Sequence, residues 1–350
     1  MGTEHALYLV IDVAFHIPED NMGSKVIGIR GVGGHGSRLM EEIKSINSDV
    51  RFVVLPRKIE DWRYIDVSDM RGLIISCPNV FHQMYCKYAT SRFPHCVIYC
   101  EKPFLNKRSS LASGLDLLHN SNIILGFNYR HSATLRDILG LADMLQLGDI
   151  LNVSIRFSYP FCLKQEFKSS WKSDADMSPS GVLENLSIHF IDLFQYLYGF
   201  DSLSGHFSCF RNGIPMTTDL TGRSNTDIGF NLHCSYAEPC EQKLELIFKN
   251  GIISVTQNLT EVRAPTLVLE TKTGMCVESP VVYSMRRGFL DIGKDSRREA
   301  MKYFLGIAFN DNKEEKESML NSERSLNCKT IRQYGLLLEK DCDDAHCEVG

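Results

Sequence analysis

The residues best suited to chemistry in this 350-residue sequence begin with a glycine turn, Gly31-Val32-Gly33-Gly34-His35-Gly36, which fits G-x-G-x-x-G. In that pattern one glycine makes a tight turn, the next lets the backbone approach a pyrophosphate, and the third lets a helix pack closely. The helix that follows presents unpaired N–H groups and its positive dipole end to the anion. The flanks supply the context the motif needs: Lys25 to Arg30 reads as a strand, and Ser37 to Ile46 carries Leu39, Met40, Ile43 and Ile46 at helical spacing. Gly31, Val32, Gly33, Gly34, His35 and Gly36 are therefore expected to line a dinucleotide site, with a plain tight βα connection as the alternative reading.

Two further groups could act on a substrate. Lys102 lies just past a strand ending near Tyr99 and precedes Pro103. That is the sheet edge where open α/β folds bind ligands, and an ammonium there stabilises alkoxide-like charge on a reacting hydroxyl. Asn185, His189 and Asp192 fall on one stripe of a helix whose other stripe is Leu186, Phe190, Leu193 and Leu197. The ordinary pKa of a histidine lies near neutrality, which suits His189 to take a hydroxyl proton and return it. The bland alternatives are a surface lysine after a strand and a core histidine on an apolar helix.

These residues need elements to hold them. Arg51 to Leu55, Gly72 to Ser76, His95 to Tyr99 and Asn122 to Phe127 read as further strands alternating with helices, which predicts a parallel, doubly wound sheet. The third strand begins so soon after the second that a usual crossover helix has little room. From about Leu151 the pattern changes. Asn152 to Tyr159, Leu203 to Phe210, Asp227 to Ala237, Gln242 to Val255 and Val262 to Thr271 read as a largely antiparallel sheet, interrupted by helices from Val182 to Tyr198 and Arg297 to Phe309. A last helix is expected from Ser322 to Lys340 after a polar loop, Asn310 to Glu317. The expected fold class is thus α/β, a Rossmann domain over residues 25–127 followed by a substrate-binding and oligomerisation domain over 128–340, between a 1–24 extension and a 341–350 tail.

An NAD site usually offers an acid to the adenosine ribose at the end of the second strand, where this chain has Leu55, Pro56, Arg57 and Lys58. Arg57 and Lys58 either meet a 2′-phosphate, which favours NADP, or are surface cations after a proline turn.

Taken in order, the glycine turn, Cys77-Pro78-Asn79 with His82, Glu101-Lys102-Pro103 and Asn185-x-x-x-His189-x-x-Asp192 resemble the glucose-fructose oxidoreductase, inositol dehydrogenase and rhizopine catabolism family, Gfo/Idh/MocA. The resemblance runs from about Lys25 to Lys340. It implies NAD or NADP as cofactor and hydride transfer to or from a secondary alcohol carbon of a sugar, cyclitol or nucleotide sugar. It implies too a homodimer or homotetramer built on the open sheet. The cofactor contacts it implies are Cys77, Pro78, Asn79, His82, Glu101, Lys102, Asn128 and Trp171. It places Lys102, Arg130, Asn185, His189 and Asp192 toward substrate, with Lys102 and His189 catalytic. The chain departs from one common family form in having asparagine at 185, as in a subset that includes nucleotide-sugar 3-dehydrogenases, where it would orient substrate by hydrogen bonds. Lys172 stands where the family often has arginine, and Ser180-Gly181 where it often has a glycine run. A cofactor- or sugar-sensing regulatory protein without turnover is the reading from another class, and reduction of a non-sugar carbonyl a third.

Composition narrows the partners. With 38 basic and 43 acidic side chains the net charge is -5, without a basic block for a phosphate backbone, so nucleic acid is not expected. His5 to Ile17 is apolar but short, contains Asp12 and lacks signal-peptide flanks, so neither a leader nor a membrane span is expected. The 12 cysteines are then read as reduced, the N-x-S/T sequons at Asn152, Asn185 and Asn258 as coincidental, and the cytoplasm as the compartment. Cys342, His346 and Cys347 lack a second pair at zinc spacing, and no metal is expected.

Overall fold

The computed structural model describes residues 25–66, 68–264, 267–271 and 274–344; the expected N-terminal extension, His346 and Cys347 lie outside them. The strands β1 (Val26–Arg30), β2 (Arg51–Val54), β3 (Met70–Ile75), β4 (Val97–Cys100) and β5 (Ile123–Leu125) form an all-parallel sheet in the order β2-β1-β3-β4-β5. Every residue of β4 and β5 is buried, as expected of strands covered on both faces. Helices α1 (Gly34–Ile46), α2 (His82–Arg92) and α3 (Leu111–His119) connect the strands.

The connection from β2 to β3 contains a 3-10 turn, Ile59–Tyr64, in place of a full helix. Trp62 fills the room a helix would take: it is fully buried, donates Nε1–H to the Pro56 carbonyl at 2.9 Å, and stacks on Tyr85 and Phe93 at 5.6 and 5.9 Å. One indole, with its polar atom satisfied, closes the core there.

After α4 (Ala133–Met144), a second sheet is assembled from β6 (Ile150–Ser158), β7 (Ser202–Arg211), β8 (Ile214–Arg223), β9 (Gly229–Ser235), β10 (Glu241–Phe248), β11 (Gly251–Val255), β12 (Thr260–Arg263) and β15 (Val281–Met285). A separate hairpin pairs β13 (Leu267–Thr271) with β14 (Gly274–Glu278). The large sheet runs β15-β12-β11-β10-β6-β9-β8-β7, antiparallel except for the parallel pair β6 and β9. Between its strands lie the short α5 (Gln165–Lys168) and α6 (Ile188–Leu197), whose Phe194 and Phe190 pack on Phe230 and Phe157 of the sheet at 4.7 and 5.6 Å.

Several elements differ from the sequence expectation. The Gln242 to Val255 run is two strands, since Lys249 and Asn250 turn it into a hairpin, and the Val262 to Thr271 run divides between β12 and β13. Strand β8 was not expected, because Pro215, Thr217 and Thr218 make it look polar. All three are buried, and the threonines bond Ser235 at 2.8 Å and Ser187 at 2.7 Å. Helix α7 (Phe289–Ala308) begins earlier than Arg297 because Asp291 accepts from the Gly288 N–H at 3.0 Å and closes its first turn. The expected loop from Asn310 to Glu317 is largely the start of α8 (Lys313–Asp344): Asn312 Oδ1 accepts from the N–H groups of Glu314 and Glu315 at 3.1 and 3.2 Å, and those acids suit the positive helix end.

Helix α7 lies late in the chain yet covers the first sheet. Its Met301, Phe304, Leu305 and Ala308 share a core cluster with Ile27, Ile29, Ile74, Val97 and Tyr99. Gly72 makes room for it, since a Cβ there would lie 2.8 Å from the Phe304 ring.

Candidate active site

The glycine turn follows β1 directly. Gly31 has φ +102°, and a Cβ on it would lie 2.1 Å from the Ser76 carbonyl oxygen; one on Gly36 would lie 1.9 Å from the Gly31 carbonyl. Both positions admit only glycine. Gly33 differs, because a Cβ there meets nothing within 4 Å. It precedes α1 without a side-chain cap, so the first amides of the helix face open space beside an exposed Val32. The turn is thus a cradle with no side chain over Gly33 or Gly34.

Glu101 and Lys102 follow β4 on the same strand edge. His35, half-exposed in the first turn of α1, meets Glu101 Oε1 at 2.8 Å and so joins the glycine turn to this loop. Burial favours the protonated Glu101 carboxyl, but His35, Lys102 and His82 outweigh it and hold its pKa below the usual value. Lys102 Nζ donates to the Asn185 backbone carbonyl at 2.5 Å. Burial and the Lys172 charge bring its pKa down to about 8, against the opposing pull of Glu101 and Glu184.

The Lys102 partner sits on an irregular turn. Residues Leu183–Ser187 form a π-helical segment ahead of α6, a geometry that often marks functional positions. Both Asn185 side-chain amide hydrogens are committed, to Ser178 Oγ and the Gly181 carbonyl, each at 2.8 Å. His189 stacks on Tyr129 with centroids 5.1 Å apart, and its Nδ1 is buried without a hydrogen-bond partner. Burial drives its pKa well below the ordinary value, with Lys102, His35 and Lys172 adding to the effect, so the ring is neutral. Sequence reading missed Tyr129 as the support of His189 and Glu184 as a buried acid. The only signal for the latter was one charge inside the run Val182-Leu183-Glu184.

Other expected site residues are placed differently. His82 is 1% exposed, with ring nitrogens 2.7 Å from the Pro103 carbonyl and 2.8 Å from that of Cys77. It ties the Cys77-Pro78-Asn79 loop to the Glu101-Lys102-Pro103 loop and is thus enclosed by backbone, where a cofactor contact was expected. Arg130 and Asp192, expected to face substrate, pair with each other in the interior, because α8 brings Glu323, Asn327 and Thr330 against them. Arg57 is exposed beyond β2, where its carbonyl accepts from Tyr85 Oη at 2.8 Å. Trp171 is part-exposed on a 3-10 turn, and Lys172 Nζ lies 5.8 Å from its ring centroid and 5.5 Å from that of Phe161. Asn128 donates to Ser296 Oγ at 3.2 Å and leaves Oδ1 buried without a partner.

The open space at Gly33 and the unpartnered atoms of Asn128 and His189 fit a dinucleotide laid along this edge. Among the described residues, no group of three or more His, Cys, Asp or Glu could hold a metal ion, and no helix is long and apolar enough to cross a membrane.

Residues 139–254 match the GFO/IDH/MocA C-terminal domain. The chain is 30% identical over 193 residues to glucose-6-phosphate 3-dehydrogenase of Bacillus subtilis (strain 168), covering 54% of this chain and 51% of that one. It is 27% identical over 142 residues to levoglucosan dehydrogenase of Pseudarthrobacter phenanthrenivorans, covering 40% of this chain and 36% of the other. The match thus spans about half or less of each curated relative. In fold it is similar to a levoglucosan dehydrogenase solved with NADH and levoglucosan, with a TM-score of 0.69 at 16% identity, over 91% of this chain and 97% of that one. It is similar as well to a myo-inositol dehydrogenase from Corynebacterium glutamicum, with a TM-score of 0.60 at 15% identity, over 90% and 96% of the two chains. A parallel sheet headed by the glycine turn, a mixed sheet carrying the π-turned helix, and the matched second domain lead to one conclusion: the chain is similar in fold to these dehydrogenases, and its residues 139–254 match the GFO/IDH/MocA C-terminal domain.

Proposed function

We propose that this protein is a nicotinamide-dependent dehydrogenase or reductase acting on a secondary alcohol or ketone of a sugar or nucleotide sugar. One observation carries the reading: Lys102, its pKa brought down to about 8, is held against the Asn185 turn at the strand edge that also carries the glycine cradle. The sugar class is supported by relatives named for glucose 6-phosphate and levoglucosan, and NAD(H) by a neighbour of the same fold solved with NADH.

In this reading Gly31 to Gly36 hold the diphosphate, with Asn128 and Trp171 nearer the reacting end. A bound nicotinamide supplies the hydride acceptor or donor. Lys102 hydrogen-bonds the reacting oxygen. As a neutral amine it takes the hydroxyl proton during oxidation, and as an ammonium it stabilises and protonates the oxyanion during reduction. His189, neutral and braced by Tyr129, is the second proton acceptor, and Asn185 orients the substrate through its side-chain carbonyl. Arg57 is the residue placed to read a 2′-phosphate, which leaves NADP(H) as the other cofactor.

Residues 25–127 act as the cofactor domain and 128–340 as the substrate and oligomerisation domain. The polar outer face of the large sheet, with Arg156, Asn231, His233 and Lys243, is our candidate surface for a homodimer or homotetramer in the cytoplasm. The test is titration of the purified protein with NADH and NADPH, then a screen of sugars and nucleotide sugars for change in nicotinamide absorbance. Cofactor binding and turnover are expected. Binding with no turnover on any carbonyl or alcohol would replace this reading with that of a non-catalytic sensor, and no binding would remove it.

A further inference from the structure

We propose that Glu184 is the buried counter-charge of Lys102, a positioning residue that sets the protonation state in which the lysine meets substrate. The inference rests on the role assigned above to Lys102. Glu184 is 0% exposed and lies in the π-helical turn among Val182, Leu183 and Leu186, all of them buried. Burying a carboxyl in such company is unfavourable unless a partner offsets the lost hydration. Its Oε1 is bonded by Ser178, and its Oε2 is buried without a hydrogen-bond partner. Ser178 Oγ donates to Glu184 Oε1 and accepts from the Asn185 side-chain amide at 2.8 Å, and the backbone carbonyl of the same Asn185, the residue next to Glu184, accepts from Lys102 Nζ at 2.5 Å.

The surrounding charges leave Glu184 as the adjustable one. Lys102 is faced by Lys172, Glu101 and Glu184, with His82 and His189 close by. Lys172 repels its proton, and Glu101 is already paired with His35. Glu184 itself is faced by Ser178, Asn79, Lys102 and Lys107, while Lys172 and Tyr236 lie within its field. Burial pushes its pKa up to about 7, next to the value of about 8 for Lys102. The two groups therefore change charge over adjoining pH ranges. Ionised Glu184 keeps the proton on Lys102, and neutral Glu184 releases its hold.

The test reads Lys102 directly, without substrate. Trace acetylation with acetic anhydride from pH 6 to 10, followed by digestion and mass spectrometry of the Lys102 peptide, gives the midpoint of amine reactivity. In Glu184→Gln the midpoint is expected to fall by about one pH unit, and in Glu184→Asp to stay near that of the native protein. An unchanged midpoint in a folded Glu184→Gln variant overturns the proposal. If that variant does not fold, Ser178→Ala keeps the carboxyl but removes a donor that favours its ionised form. It too is expected to lower the midpoint, and no movement there also overturns the idea. The failures of the two readings are distinguishable: a shifted midpoint without turnover on any sugar sinks the dehydrogenase reading alone, and turnover without a shift sinks the role of Glu184 alone.

Discussion

Arg130 and Asp192 form a two-pronged ion pair in the interior, Nε to Oδ2 at 3.0 Å and Nη2 to Oδ1 at 2.5 Å, with side chains 2% and 1% exposed. Glu323 and Asn327 of α8 lie 3.2 and 3.3 Å from the same guanidinium, and Thr330 donates to Asp192 at 2.9 Å. The turn after β5, helix α6 and helix α8 are thereby fastened together close to His189. Removing one partner strands a buried charge, so Asp192→Ala is expected to cost about 3–5 kcal/mol of stability, measured by urea unfolding. A loss below about 1 kcal/mol would mean that water reaches the pair.

In the proposed mechanism Lys102 is the group that meets the reacting oxygen, and replacing it leaves the glycine cradle whole. Lys102→Ala is expected to lower kcat by about 10²–10³ while the Kd for NADH changes little. Near-native turnover in that variant would remove Lys102 from the mechanism.

The pH dependence follows from the same lysine. Its pKa is depressed to about 8, so the neutral amine that can take a hydroxyl proton prevails above that value and the ammonium below it. kcat/KM for alcohol oxidation should therefore rise with pH and level off above about 8, and carbonyl reduction should fall over the same interval. A flat profile from pH 6 to 10 in both directions would contradict this assignment.

The glycines separate binding from folding. Gly33→Val adds a side chain where a Cβ meets nothing, so thermal stability should hold while the Kd for the cofactor rises at least about tenfold, or about 1.4 kcal/mol. Gly31→Ala, at φ +102° and against the Ser76 carbonyl, should itself lower stability by about 1–3 kcal/mol. Equal melting temperatures for the two variants would be evidence against the cradle as described.

Arg57 decides between cofactors if it reads a 2′-phosphate. Arg57→Ala is then expected to weaken NADPH about tenfold or more and leave NADH unchanged, as followed by fluorescence titration. Parallel effects on the two nucleotides would make Arg57 an ordinary surface cation.

Much of the frame was legible in the sequence, because it depends on periodicity and on residue types with few tolerable substitutes. The alternation of buried strands with helices implied the parallel sheet, and Gly31 and Gly36 stand where a Cβ would strike backbone. Lys102 could be placed at the ligand-binding edge because the end of a parallel strand fixes where the next residues emerge. Spacing put Asn185 and His189 on one helical stripe; the structure places Asn185 in the π-helical turn ahead of α6 and His189 within α6, and that turn, which buries Glu184, has no simple period to read.

What only the tertiary structure decided is which partners each charged or polar group meets. Asp192 shares a helix with His189, yet α8, far along the chain, turns it to Arg130. His82 lies in a motif that resembles a cofactor loop, yet two backbone carbonyls enclose it. Helix α7 follows the second sheet in sequence and covers the first. The physical reason is the same in each case: local spacing fixes the face of an element on which a side chain stands, whereas its burial, proton affinity and availability to a ligand are set by whatever distant segment packs against that face.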